Sequence, residues 1–320
     1  MAIDFPRYLL AKQTVDDRAL NKDVLRALIV HLAGHPRDAD LVVTEIGGGI
    51  GTMLVRLLRW DILPPRVRYI LLDVMPENIA YARDWLPCWA AAHGWQVAFD
   101  PQGVLSLENG VRTLECHLRC ADLFDYVEQN PPQAHLLIAH AVLDLLPIPE
   151  TLPKIARLLR PDGLAWLTLN FDGATIFQPE LTWSDLQISS LPLSPFASPD
   201  SYIISLYHQT MRTCSGGDSE AGRHLLNYFV QSGIQILAAG ASDWIVYPRG
   251  GSYPADEAYF LRCILHFFEE SLSQHPALSP GLLHAWLEKR RAQVEAGQLV
   301  YIAHQMDFLV AFHSAPEHAT

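Results

Sequence analysis

Residues 41–58 read LVVTEIGGGIGTMLVRLL, in which an apolar run reaches a glutamate, passes a cluster of glycines and resumes as apolar sequence. The β-branched and apolar residues before the cluster favour a buried strand, and the run after it favours a helix. Glycines between a strand and a helix let the backbone approach a ligand more closely than a Cβ would permit. The segment therefore predicts an α/β fold with a ligand at the carboxyl end of a buried strand.

Strand and helix patterns alternate along the rest of the chain. Buried strands are predicted at VRYILLD, AHLLIAHAVLDLLP and LAWLTLNF, with helices at MPENIAYARDWL and IPETLPKIARLLRPDG between them. This alternation is typical of a doubly wound, mostly parallel sheet. The pair Asn109-Gly110 lies between two alternating runs, so an antiparallel hairpin is expected before the third parallel strand.

Three segments fall outside this alternation. Residues 1–35 form an expected amino-terminal helical cap, in which TVDDRALNKDVLRALIVHL predicts one amphipathic helix capped by Thr14. Residues 36–320 make up the main domain, with a helical insertion at 253–297. Residues 172–219 combine four prolines with five aromatic residues and are too long for a plain connection, so they are interpreted as a lid. The five aromatic residues are Phe177, Trp183, Phe196, Tyr202 and Tyr207.

The net charge of −12, with 23 scattered Lys and Arg, argues against a nucleic-acid or anionic-membrane surface and favours a small-molecule partner. No window of about 18 uncharged apolar residues occurs, and the amino terminus has no signal-peptide pattern, so a cytoplasmic protein is expected. The five cysteines form no Cys-x-x-Cys pair and are expected to be reduced. Cys116 and His117 would face opposite sides of a strand, so no metal site is expected there.

Of two other interpretations of the glycine cluster, the first is excluded by its residue types, and the second fits them less well. A phosphate-binding P-loop requires Lys followed by Ser or Thr after the last glycine, but the helix here begins Thr52-Met53. A dinucleotide-binding turn requires a third glycine, and that position holds Thr52 in one register and Leu54 in the other. Neither reading explains the acid at Glu45.

The spacing E-x-G-x-G-x-G at Glu45, Gly47, Gly49 and Gly51 resembles the first motif of class I S-adenosylmethionine-dependent methyltransferases. The resemblance continues through LLIAHAVLDLLP and IARLLRPDGLAWLTL and covers roughly residues 40–170, 220–247 and 298–312. It implies a Rossmann-like, seven-stranded, mostly parallel sheet whose last strand, after Gly297, is antiparallel.

The resemblance also implies S-adenosylmethionine as cofactor. Asp73 matches the acid that holds the ribose hydroxyls, and Asp122 in CADLF matches the acid that recognises the adenine amino group. A cationic ligand that has hydroxyls and lacks phosphates suits acids at strand ends. The expected cofactor-binding residues are Glu45, Gly47, Gly48, Gly49, Gly51, Asp73, Val74, Ala121, Asp122, Leu123 and His140.

His140 and Asp144 follow the fourth parallel strand and are the candidate catalytic residues, although a buried histidine with satisfied hydrogen bonds is the commoner case. Tyr8, Tyr207 and His208 are further candidates because they lie in expected lid segments. The NPPQ sequence at 130–133 resembles a motif of nucleic-acid amino-methyltransferases, but it precedes its strand and has Gln133 where that motif has an aromatic residue. It is therefore interpreted as a loop.

The expected reaction is methyl transfer to an oxygen, nitrogen or carbon of a small apolar or aromatic molecule. Two alternatives stay open: a non-catalytic S-adenosylmethionine-binding protein and a nicotinamide-dependent oxidoreductase. The hairpin and the helices at 253–297 depart from the family pattern, and they either shape the substrate site or form contacts in a homodimer.

Overall fold

A computed structural model describes residues 3–186, 196–213 and 216–312. The strands are β1 (Leu41–Ile46), β2 (Arg66–Asp73), β3 (Gln96–Phe99), β4 (Leu105–Glu108), β5 (Thr113–Cys120), β6 (Ala134–His140), β7 (Leu159–Gln178), β8 (Gln235–Ala241), β9 (Trp244–Val246) and β10 (Val300–Ala311). The helices are α1 (Phe5–Ala11), α2 (Gln13–Ala19), α3 (Lys22–Ala33), α4 (Thr52–Arg59), α5 (Pro76–Ala92), α6 (Leu123–Gln129), α7 (Ile148–Leu158), α8 (Pro199–Thr213), α9 (Ala221–Gln231), α10 (Glu257–Leu272) and α11 (Pro280–Glu295).

The strands form one sheet in the order β3-β4-β5-β2-β1-β6-β7-β10-β8, with β9 paired to β10. Strands β5, β2, β1, β6 and β7 run parallel, and β10 is antiparallel to both β7 and β8. The doubly wound α/β fold is confirmed, including the antiparallel last strand. Within the described residues the sheet has ten strands in place of seven, because the expected hairpin adds β3 and β4 beside β5 and the segment after β8 adds β9.

Helices cover both faces of the sheet, and successive strand residues supply the two cores. In β6, Leu136 and Ile138 join one core while Leu137 and Ala139 join the other, as the two-residue period of a strand requires. Helices α6, α7 and α9 pack on the second core, whereas α3, α4, α5 and α10 pack on the first. A near-continuous apolar run such as β6 is explained by burial on both faces.

The amino-terminal sequence forms three helices, so the prediction of one long helix capped by Thr14 is wrong. The chain breaks at Leu20, and Asn21 caps α3 by accepting hydrogen bonds from the N–H groups of Asp23 and Val24. The Thr14 hydroxyl donates to Glu257 at 2.8 Å. The apolar period of four residues continues across the break because both helices pack on the same core.

The expected lid segment begins within β7, which extends to Gln178, and continues into α8. Residues 187–195, with Pro192 and Pro195, and residues 214–215, with Cys214, lie outside the described residues. Residues 130–133 form a loop at the amino end of β6, opposite the edge where the glycine turn lies. Within the described chain, no helix has the length and apolar character needed to span a membrane.

Candidate functional site

The carboxyl ends of four neighbouring parallel strands meet at one edge of the sheet and line a cavity. The glycine turn follows β1, Asp73 ends β2, Asp122 follows β5, and His140 ends β6. The chain continues from β1 to β2 and β5 on one side and then to β6 and β7 on the other, so the strand order reverses at β1. Open α/β sheets bind ligands at such a reversal. The cavity brings together all the expected cofactor-binding residues except Gly51.

The turn itself demands its glycines. Gly47, Gly49 and Gly51 have φ angles of +62°, +55° and +86°, a left-handed region that favours glycine. Gly48 has no such angle, but a Cβ there would lie 2.6 Å from Cγ of Leu71. Gly51 does not line the cavity, and a Cβ there would lie 3.0 Å from Cδ1 of Leu86, so its role is to shape the turn.

Asp73 ties the turn to the end of β2. Its Oδ2 accepts a hydrogen bond from the Gly49 N–H at 2.7 Å, and its Oδ1 accepts from Met75 N–H at 2.8 Å and from Asn78 Nδ2 at 3.2 Å. A carboxylate can accept about four hydrogen bonds. Asp73 therefore holds the turn and retains acceptor capacity for a ligand hydroxyl.

Glu45 is buried beneath the turn, 2% exposed, and accepts a hydrogen bond from the Tyr69 hydroxyl at 2.6 Å. Burial raises the pKa of Glu45 to about 8, although the Tyr69 hydrogen bond opposes the shift. At neutral pH the carboxyl is therefore largely protonated, and a cation placed beside it would favour ionisation.

The outer part of the cavity is apolar and open to solvent. Val74 and Leu145 are 60% and 61% exposed, and Met75 is 41% exposed. Asp122 is exposed and caps α6 through Oδ1, which accepts from the N–H groups of Phe124 and Asp125. The arrangement offers apolar surface for a flat ring, with a carboxylate at its margin.

Asp16, on α2, is the centre of a buried polar cluster beside this cavity. It is 0% exposed; its Oδ2 lies 3.3 Å from Lys12 Nζ and 3.1 Å from His140 Nε2, and its Oδ1 accepts from Trp244 Nε1 at 3.0 Å. Burial alone would raise the pKa of Asp16, but its cationic neighbours, Lys12 first, hold it well below the usual range. The cluster therefore contains a stable buried carboxylate.

Both ring nitrogens of His140 have hydrogen-bond partners. Nδ1 lies 2.7 Å from the Thr168 hydroxyl, and Thr168 is its direct neighbour across the β6–β7 pairing. Burial lowers the pKa of His140 to about 4, although its Asp16 contact raises it. The neutral ring thus donates from Nε2 to Asp16 and accepts at Nδ1 from Thr168. His140 is therefore a buried histidine with satisfied hydrogen bonds.

A second cavity, about 400 Å³ in volume, lies next to the first and shares Phe5, Leu9, Lys12, Ala141 and Leu145 with it. Helices α1, α8 and α10 and strands β7 and β10 contribute its walls. Its aromatic wall consists of Tyr8, Phe171, Tyr207, Trp244, Phe267, Phe268 and Tyr301. Such a volume and lining suit a small apolar or aromatic molecule.

Asp144 lies in the wall of this aromatic cavity, and burial raises its pKa to about 6. Tyr207 stacks on Phe268 with ring centroids 3.9 Å apart, and Tyr8 stacks on Phe260. His208 is not among the described residues that line either cavity; its Nε2 lies 3.0 Å from the Thr175 hydroxyl.

Lys12, Asp16 and Thr168 were missed by the sequence reasoning. Lys12 and Asp16 are four positions apart on consecutive helical turns, which was the one available signal. Thr168 had none, because its contact with His140 depends on strand register. Among the described residues no group of three or more His, Cys, Asp or Glu side chains is arranged to hold a metal ion.

No protein-family model matches this chain, and no curated protein matches it. Many solved structures are similar to it, and three of them illustrate the likeness. A S-adenosylmethionine-dependent methyltransferase from Thiobacillus denitrificans, in complex with S-adenosyl-L-homocysteine, has 14% identity and a TM-score of 0.46, covering 98% of this chain and 100% of its own. The [4+2]-cyclase SpnF has 14% identity and a TM-score of 0.45, covering 97% and 95%. The cyclopropane synthase MmaA2 from Mycobacterium tuberculosis has 12% identity and a TM-score of 0.42, covering 92% and 88%. Similarity at these levels decides nothing about activity, which depends on the geometry of the two cavities.

Proposed function

We propose that this chain is a class I S-adenosylmethionine-dependent methyltransferase that acts on a small apolar or aromatic molecule. The observation that carries the proposal is the junction of two unlike cavities. One holds the glycine turn with Glu45, Asp73 and Asp122, the other is aromatic, and Ala141 and Leu145 line both.

The first cavity fits the cofactor by the chemistry of its donors and acceptors. Asp73 would hold the ribose hydroxyls, and Asp122 at the margin of the apolar surface would hold the adenine amino group. Val74, Ala121 and Leu123 would cover the ring. Glu45, two residues before the turn, lines the same cavity and would favour a cationic group. When bound, S-adenosylmethionine supplies an electrophilic methyl group on a sulfonium.

The second cavity fits the acceptor because its walls are aromatic. Residues of this chain would align the acceptor atom with the methyl group and exclude water, and such positioning supplies a large part of the rate. The helical insertion contributes α10 to the cavity wall, which favours a substrate-shaping role for residues 253–297 over a homodimer contact.

Asp144 is the better-placed base of the two predicted catalytic residues. It lines the acceptor cavity, and its raised pKa brings it near the range where a carboxylate accepts a proton effectively. His140 would first have to release Asp16 or Thr168. We therefore assign His140 the task of holding the end of β6 against α2.

The proposal is tested by ligand binding followed by turnover. S-adenosylhomocysteine at about 100 times its Kd should stabilise the protein by about 2.7 kcal/mol and raise its melting temperature, whereas NAD and ATP should not. Methyl transfer is then measured with methyl-labelled cofactor against a panel of small aromatic and apolar acceptors. A shift with NAD alone would support the oxidoreductase alternative, and binding without turnover across the panel would support a non-catalytic binding protein.

A further inference from the structure

Lys12 lies where the cofactor cavity meets the aromatic cavity. It connects α1 to α2, is only 6% exposed, and lines both cavities. Among the lining residues that the structure describes, it is the only lysine or arginine in either cavity. The cofactor cavity is otherwise acidic, through Glu45, Asp73 and Asp122. A ligand with one anionic group would find a single cationic partner there.

The surroundings of Lys12 hold its ammonium in place without using all of its donors. Nζ lies 3.3 Å from Asp16 Oδ2 and 5.5 Å from the ring centre of Trp244. Asp16 is fixed from the other side by Trp244 and His140. An ammonium has three N–H donors. Among the described residues, Asp16 is the only acid in ion-pair contact with this ammonium, and Asp144 interacts with it at longer range. Donors therefore remain for a ligand.

We propose that Lys12 binds the carboxylate of the cofactor's amino-acid portion, with Asp16 as the residue that positions its ammonium. The inference rests on the proposed function, since it concerns the same cavity. A carboxylate taken out of water needs a cationic or hydrogen-bonding partner. The acids of the cavity can receive the cofactor's amine and hydroxyls but offer no cationic partner to its carboxylate, so Lys12 is the group that accommodates it.

The test compares two ligands that differ only in this group. S-adenosylhomocysteine carries the carboxylate, and its decarboxylated analogue keeps the amine and lacks the carboxylate. Calorimetry should show that the natural protein prefers S-adenosylhomocysteine by about 10- to 100-fold. Lys12→Met should lose this preference while its Kd for the analogue stays within about twofold of the natural value. Lys12→Arg, which keeps the charge, should recover part of the preference.

Lys22→Met is the matched control, because it makes the same change at an exposed position of α3. The inference is overturned if the natural protein does not discriminate between the ligands, or if Lys12→Met weakens both equally. Equal weakening would mean that Lys12 has a purely structural role. Unchanged binding of both ligands would also overturn the inference and would mean that Lys12 is available to contact the methyl acceptor instead. Failure of the proposed function looks different, because the natural protein would then bind neither ligand.

Discussion

At the scale of single residues, the acids at the strand ends have different tasks. Asp73 holds the turn through backbone N–H groups, Glu45 is buried and mostly protonated, and Asp122 is an exposed helix cap. Environment separates them: burial raises the pKa of Glu45, whereas Asp73 accepts hydrogen bonds from Gly49, Met75 and Asn78. Substitutions should therefore affect them in distinct ways.

Asp73→Asn should weaken S-adenosylhomocysteine binding by about 1.5–3 kcal/mol, because a charge-assisted hydrogen-bond acceptor becomes a neutral one. Asparagine keeps one acceptor oxygen but sets its NH2 group against the N–H of Gly49 or of Met75, so urea unfolding of the variant is measured alongside binding. Calorimetry measures the affinity, and Asp125→Asn, an exposed position on α6, serves as the control. An unchanged Kd would remove Asp73 from the binding site.

Glu45→Gln should stabilise the ligand-free protein at alkaline pH. The folded pKa of about 8 lies above the usual value of 4.5, so the folded state binds more protons than the unfolded state between these values. Stability from this group is full below about pH 4.5 and is lost as pH rises toward 8. The gain over the natural protein should be on the order of 3 kcal/mol at pH 8 and small at pH 5. Urea unfolding at both pH values measures it, and an equal gain at both would contradict the shifted pKa.

Asp144→Asn should slow methyl transfer by about 10²- to 10⁴-fold if the acceptor needs a base. In the natural protein the rate should fall as pH drops through about 6, because protonated Asp144 cannot accept a proton. The measurement is a single-turnover pH profile, which reports the chemical step. If the fall in rate below about pH 6 persists in the variant, a group other than Asp144 is responsible for it. His140 is not that group, because its pKa is near 4.

At the scale of elements, the amino-terminal helices are joined to the far edge of the sheet. Asn21 caps α3, its Nδ2 donates to the Ala241 carbonyl at 2.8 Å, and its N–H donates to Asp307 Oδ2 at 2.8 Å. Asp307 also accepts from Leu169 N–H, where β7 carries a φ of +55°. Asp307 thus links α3, β7 and β10 at one point.

Asn21→Ala should lower the free energy of unfolding by about 1–2 kcal/mol, because the α3 cap is lost together with a hydrogen bond to β8. The asparagine at 227, exposed on α9, provides the matched control as Asn227→Ala. Denaturant unfolding compares the two variants. Equal stabilities would mean that water replaces the cap at no cost.

At the scale of the whole molecule, the aromatic cavity is built from segments far apart in sequence. Helix α1 packs on α10, and α8 packs on both α10 and β7. Tyr207 from the lid segment stacks on Phe268 from the helical insertion. The two additions to the alternating pattern therefore cooperate in one wall, which is where ligand-dependent closure is expected.

Cleavage within residues 172–219 should slow when S-adenosylhomocysteine and an acceptor are both bound, because a filled aromatic cavity adds contacts to α8 and α10. Limited proteolysis with mass spectrometry measures the rate, using a site in α3 as the internal reference. Equal cleavage with and without ligands would argue that the segment serves assembly, and the oligomeric state would then be measured by light scattering.

Local chemistry alone determined the parallel sheet, the glycine turn and the acids at strand ends. These follow from hydrophobic period and residue type, and all parallel strand ends meet at one edge whatever the rest of the chain does. Tertiary structure decided the break between α2 and α3, where Asn21 donates to acceptors in β8 and β10. It also decided the Asp16 cluster, since His140 and Trp244 reach that carboxylate from 124 and 228 residues away. Contacts between distant segments leave no periodic signal in a sequence, so the roles of Lys12 and His140 emerged only once the chain was folded.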